Sequence, residues 1–253
     1  MFLDLEYKKS SSVLVSLRDR LGRTLLNKFD MYILLSEEMK NVIDIEKKSY
    51  IIIEGIYDFS KKKEIEYGVD SFSDNQFNIV YAGSLYYEYG IMNLVNAVEL
   101  LNYADIELLI FGSGEAEKEI KKIAENNKRI VFGGLVPRDC VLEYERKASL
   151  LVNPRPVEDE YVKYSFPSKN MEYMASGTPV LLTNIPSLPD EYKKYVILAD
   201  TNDVDVLKTK IEYIYSNQKK FSDLGEKAQK FILREKNKKK QSLKLIELIG
   251  YEN

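Results

Sequence analysis

A doubly wound α/β fold with a parallel sheet is what this sequence predicts. From about residue 77 onward, short β-branched runs alternate with amphipathic stretches; those stretches have the length and 3.6-residue spacing of crossover helices. The bulk composition agrees: 253 residues, 45% apolar and 30% charged, are those of a folded, water-soluble chain with enough length for one large core.

Six strands are expected, FNIVYA at 77–82, IELLIF at 106–111, RIVF at 129–132, SLLV at 149–152, PVLL at 179–182 and YVIL at 195–198. Helices are expected between and after them, at 90–102, 115–126, 138–147, 168–176 and 203–216. Upstream, residues 13–28 read as an amphipathic helix, MYILL at 31–35 and YIII at 50–53 as strands, and 37–44 as a short helix between them. This single βαβ unit is an incomplete second α/β domain, because two strands are marginal alone. The polar stretches at 61–64 and 70–75 form the linker, and beyond 217 the chain reads as one long charged helix whose basic stretch at 236–240 is a solvated face. The division is therefore 1–70 for the partial domain and linker, 71–220 for the main domain and 221–253 for a helical tail. No internal repeat is present.

Charge and composition exclude several functions. With 37 Lys and Arg against 40 Asp and Glu, the net charge of −3 gives no cationic field for nucleic acid, and membrane contact is at most peripheral. The sequence has no histidine, which excludes histidine general bases, Ser-His-Asp triads and histidine-ligated metals. A lone cysteine, Cys140, forms neither an internal disulfide nor a CxxC zinc site and fits a cytoplasmic location. The first residues lack the order of a signal peptide, and no apolar run approaches the ~18 residues of a spanning helix.

Ligands of open parallel sheets bind beyond the carboxyl ends of the strands. Gly112, Ser113 and Gly114 follow the second main strand just ahead of a helix expected near Glu115, where backbone N–H groups attract an anion. A plain strand-to-helix turn explains the same residues, and Glu117 stands where a dinucleotide fingerprint needs a third glycine. Gly83 and Ser84 are a second phosphate-facing pair, and the loop GGLVP at 133–137, with Val136, offers backbone groups to a flat base. The stretch YSFPSKNMEYMASGTPV at 164–180 is the most informative. Pro167 suits the first helical turn and Gly177 its stop. Ser168, Lys169 and the helix N-terminus can then meet a diphosphate, while Glu172 can accept two hydrogen bonds from vicinal ribose hydroxyls. The other reading of Lys169 and Glu172 is an i,i+3 surface ion pair.

This stretch resembles the C-terminal domain of the retaining GT-B glycosyltransferases of family 4, in the branch with PSK and EYMASGTPV. The order of YAGSL at 81–85 with YGI at 89–91, IFGSG at 110–114, FGG at 132–134 and NPR at 153–155 agrees with it, and FDMYILLS at 29–36 and YIIIEGIYD at 50–58 look like the last unit of the N-terminal domain. The resemblance implies a Rossmann-like domain that binds a nucleoside-diphosphate sugar and transfers the sugar with retained configuration, with no obligatory metal and no cofactor. By the same resemblance Glu172 holds the ribose, Gly112 and Gly114 lie near the nucleotide, and Phe166, Ser168 and Lys169 face the diphosphate or sugar. Tyr164 replaces one of the family's paired carboxylates, and Ser84 and Tyr89 replace its Arg and Lys; Lys169 or Arg155 supplies the lost charge. No residue is assigned as catalytic. The expectation is a transferase completed by further sequence or by a separate N-terminal-domain chain, or else a binding or scaffold protein with the same pocket; a third reading keeps the activity intact in one minimal chain.

Overall fold

The computed structural model describes residues 22, 24–26, 28–41, 45, 48–58 and 76–250. The expected linker at 61–75, the boundary at 70 and most of the helix expected at 13–28 lie outside the described residues. Strands β1 (Met31–Leu34) and β2 (Ser49–Ile52) pair in parallel, with a 3-10 turn at Glu37–Asn41 between them. The main sheet holds β3 (Phe77–Ala82), β4 (Ile106–Phe111), β5 (Ile130–Gly134), β6 (Leu150–Asn153), β7 (Val180–Thr183) and β8 (Ile197–Ala199). Its helices are α1 (Ile91–Glu99), α2 (Glu117–Asn126), α3 (Arg138–Lys147), α4 (Ser168–Ser176), α5 (Asp190–Lys193) and α6 (Val204–Ser216), followed by α7 (Gln218–Glu235) and α8 (Lys238–Leu248).

All pairs are parallel and the order is β5-β4-β3-β6-β7-β8. The chain winds outward from β3 to β5, then returns to lay β6 against the other edge of β3, so the order reverses at the carboxyl end of β3, where a doubly wound sheet opens its crevice. Period-2 alternation splits the core. Phe77, Ile79 and Tyr81 join Leu94, Val98, Leu207 and Ile211 on one face, while Val80 and Ala82 join Met171, Met174 and Phe231 on the other. Every residue of β3 is consequently buried. The two-stranded unit differs: Tyr32 and Leu34 are covered, whereas Met31 and Ile33 are 44% and 55% exposed.

The tail corrects the sequence reading. It is two helices, not one, because Asn237 leaves the helical conformation and its side chain accepts from the Lys240 amide as an N-cap. Nor is the whole basic stretch solvated. Lys236 is 1% exposed and bonds both oxygens of Glu54 at 3.0 and 3.1 Å and Glu191 at 2.6 Å, while residues 238–240 are exposed. The Tyr57 amide donates to the Lys236 carbonyl at 2.9 Å, so the α7–α8 junction fastens the segment after β2 to the main domain. The short helix α5 was missed, and β8 starts later than expected because the Tyr195 amide still closes a turn onto the Tyr192 carbonyl.

Lys236→Met should lower the unfolding free energy by about 3–5 kcal/mol by stranding Glu54, and a double variant with Glu54→Leu should recover most of it. Urea titrations check this. Equal stabilities of the single and double variants would show that the tether does not depend on the charge pair.

Candidate functional site

The loops after β3, β4 and β5 meet above the strand ends and are hydrogen-bonded to one another. Gly83 N–H donates to the Phe111 carbonyl, Leu85 N–H to the Ser113 carbonyl at 2.9 Å, and Gly112 N–H to the Gly134 carbonyl at 2.8 Å. Gly112 has φ +137, and a Cβ there would lie 1.8 Å from the Gly83 carbonyl oxygen. A Cβ on Gly114 would lie 2.5 Å from the Leu85 carbonyl. These glycines let the β4 loop lie against the β3 loop. That contact constrains both glycines, and α2 begins at Glu117 because residues 114–116 complete it.

A cavity of about 370 Å³ opens over these loops, lined among others by Gly83, Ser84, Gly112, Val136, Lys169 and Glu172. Leu135, 78% exposed, stands at its rim. A second cavity of about 360 Å³ is lined by Gly55, Tyr57, Asp58 and Ser168. Arg138, Lys169 and Glu172 line both.

Helix α4 carries Lys169 and Glu172, and two buried clamps fix it. Asn153, at the end of β6, donates to the Asn170 side-chain oxygen at 2.6 Å. The Tyr173 hydroxyl, fully buried, accepts from the Ala82 amide at 2.7 Å and donates to the Ala82 carbonyl at 3.3 Å. Pro167 is the residue before the helix and not its first turn, and Gly177 at φ +91 ends it.

Between the cavities lies a charged cluster. Arg138 holds one Glu172 oxygen at 2.7 Å, and Lys169 bonds the other. Lys169 also lies 3.5 Å from Glu145 of α3, whose side chain is wholly buried. Burial pushes the Glu172 carboxyl upward, but the attraction of Lys169 and Arg138 outweighs it and holds the group below the ordinary carboxylate range. Glu145 goes the other way. Burial dominates there, Lys169 offsets part of it, and the carboxyl is pushed up to about 8.

Of the residues expected from sequence, the first cavity gathers Gly83, Ser84, Gly112, Val136, Lys169 and Glu172. Ser168 belongs to the second. Gly114, Arg155 and Phe166 line neither. Phe166 is 7% exposed and packs on Tyr192 in the core, where its apolar ring is buried. The Arg155 guanidinium lies 3.4 Å from the centre of the Tyr89 ring, stacked on one of the two residues whose lost charge it was expected to supply. Arg138 and Glu145 were missed. A cation in the first turn of α3 runs against the helix dipole, and Glu145 shares a helical stripe with the core-packed Val141 and Ala148; both are signals of special placement.

Residues 63–231 match the model of the glycosyl transferases group 1 family, and the chain belongs to that family. An uncharacterised glycosyltransferase of Methanocaldococcus jannaschii is 27% identical over 211 residues, covering 80% of this chain and 54% of that protein. The chain thus spans about half the length of that relative. Sucrose-phosphate synthase from Thermosynechococcus elongatus superposes with a TM-score of 0.75 at 17% identity, over 96% of this chain and 64% of that one. HepE of Anabaena, in complex with UDP-glucose, gives 0.72 at 15% identity, over 93% and 68%. At these identities the likeness establishes the fold, the Rossmann-like α/β architecture of GT-B enzymes.

The raised Glu145 carboxyl predicts a pH dependence of stability. Its folded value of about 8 exceeds the ordinary 4.5, so the folded state keeps a proton that the unfolded chain releases. Stability should therefore fall as pH rises through that window and level off above it. In Glu145→Gln this slope should vanish, which urea titrations at about pH 5.5, 7 and 8.5 would read. Parallel curves for the two proteins would mean that Glu145 is ionised throughout.

Proposed function

We propose that this chain is the donor-binding part of a retaining, family 4 type glycosyltransferase that moves a hexosyl group from a nucleoside-diphosphate sugar to a glycan or lipid-linked acceptor. One observation carries the reading: the first cavity joins the Gly134–Val136 backbone to Glu172 and Lys169 at the switch point of the sheet. Its volume falls within the ~300–1,000 Å³ of small-molecule sites. The base would lie on the 134–136 loop and the ribose against Glu172. Arg138 donates twice to one Glu172 oxygen, at 2.7 and 3.3 Å, and Lys169 donates to the other, so one of about four acceptor positions is open and a second would open as these cations turn to the diphosphate. The diphosphate would meet Lys169 and Arg138 beside Ser84 and Ser168, with protein cations and no metal balancing its charge.

Transfer also needs an acceptor side. Residues 28–58 contribute one two-stranded unit among the described residues, so a fuller partner surface would come from further sequence or a separate chain, in the cytoplasm where the donor is met. Among the described residues no helix is long and apolar enough to cross a membrane. The exposed Phe29, Met31, Ile33 and Leu35 favour a second reading, a nucleotide-sugar-binding protein that acts through a protein partner.

Thermal unfolding with UDP, GDP, ADP and their sugars tests donor binding, because a ligand of the native state raises stability by ~2.7 kcal/mol at a hundredfold excess over Kd. One base should produce a selective upward shift. Glu172→Ala should weaken the selected nucleotide by roughly 1.5–3 kcal/mol, and unchanged affinity would remove its ribose role. Lys169→Ala should weaken the diphosphate more than the nucleoside in calorimetric titration, and equal losses would make its role structural. Sugar transfer that appears only on adding an acceptor-side domain would favour the enzyme. Nucleotide binding without transfer under any pairing would favour the binding protein.

A further inference from the structure

The mechanism above makes no use of Glu145, yet this carboxyl is the most deeply buried acid of the cluster. Its side chain has no exposed surface, one oxygen is 3.5 Å from the Lys169 ammonium, and the Glu172 carboxylate lies close enough to accept a hydrogen bond from Glu145 when it is protonated. Lys169 is 30% exposed and stands between two carboxylates, Glu172 on the wall of both cavities and Glu145 beneath it. The ammonium donates to both, Glu172 being the nearer.

Resting on the donor-binding reading, we propose that Glu145 is a positioning residue for Lys169: uncharged, it leaves the ammonium to Glu172 and the donor's diphosphate; ionised, it draws the ammonium inward and places a negative charge beneath the phosphates.

The surroundings support two states. The Glu145 backbone is held, its carbonyl accepting from the Thr178 hydroxyl at 2.6 Å, and its side chain has no exposed surface. The charged and titratable groups near it are few: Lys169, Glu172 and Tyr173 from α4, Arg138 from its own helix, and Tyr57 from the segment after β2. With Glu145 neutral, Arg138 and Lys169 face one carboxylate, and the cluster presents a net positive charge to a diphosphate. With Glu145 ionised the cluster is balanced. The burial that pushes this carboxyl to about 8 places the exchange just above neutrality. Tyr57 and Tyr173 are both raised by burial above their ordinary value, so neither ionises in that window.

Calorimetric titration of UDP and uridine into the full chain and into Glu145→Gln, at about pH 7, 8 and 9, tests the proposal. The UDP diphosphate keeps a constant charge across this range, since its last ionisation lies near ~6. In the unaltered chain UDP affinity should fall by at least about fivefold from pH 7 to 9, the lower end of ordinary site-to-site coupling. Uridine, whose ring N–H begins to ionise toward the top of this range, reports the base's own slope; UDP should lose that much affinity beyond uridine, and Glu145→Gln should hold UDP with only the slope that uridine shows. The same slope in both proteins overturns the role of Glu145 while leaving the donor reading intact. Absence of UDP and uridine binding by both folded proteins overturns the donor reading for this base and the diphosphate role with it. A carbon-detected NMR titration of the glutamate side chains, without any ligand, gives the separate readout: a Glu145 midpoint near the ordinary carboxylate value would overturn the two-state device by itself.

Discussion

The placement of α4 against the strand ends is the constraint on which the rest of the site depends. Two buried polar contacts set it, Asn153 to Asn170 and Tyr173 to the Ala82 backbone, each joining the helix to the end of a different strand. Apolar packing alone is non-directional and tolerates sliding, whereas a buried hydrogen bond that slips leaves an unsatisfied group, so these contacts fix the helix in register. Glu172 and Lys169 inherit that precision because they sit within a turn of the clamped residues. The glycines at 112 and 114 act one layer higher, allowing the β3 and β4 loops to approach until their backbones bond.

On this frame sits a small charge cluster. Arg138, Lys169, Glu172 and Glu145 come from two helices and span the range from half exposed to fully buried. The gradient of solvation separates the two carboxyls: Glu172, at the wall and paired with two cations, is held below the ordinary carboxylate range, while Glu145, deeper, with one cation and the Glu172 carboxylate beside it, favours the proton. The same residue type thus carries two roles, distinguished by position in the dielectric and by the number of cations in reach.

A second buried charge, Lys236, serves architecture. Its bonds to Glu54 and Glu191 hold the segment after β2 against the α7–α8 junction, and the same segment supplies Gly55, Tyr57 and Asp58 to the second cavity. Asp58 and Lys238, 3.5 Å apart, extend the contact at the surface. The two-stranded unit therefore contributes to the site through a loop anchored by the opposite end of the chain.

The sequence by itself determined the main sheet and its crossovers, because periodicity and turn chemistry are written in residues a few positions apart. Helices α3 and α4 begin and end where Pro137, Pro167 and Gly177 place them, and β3 and β4 coincide with their apolar runs. It also brought together six of the residues on the first cavity, since loops that follow parallel strands must meet at one end of the sheet. Only the tertiary structure decided which charges are buried and with whom. Nothing local marks Lys236 as different from the exposed lysines at 238–240, and the position of Arg138 in the first turn of α3 does not name Glu172 as its partner. Lys169 meets Glu145 across 24 positions and Lys236 meets Glu54 across 182. Pairings at those distances, and the desolvation that gives them their energy, exist only once the helices have packed.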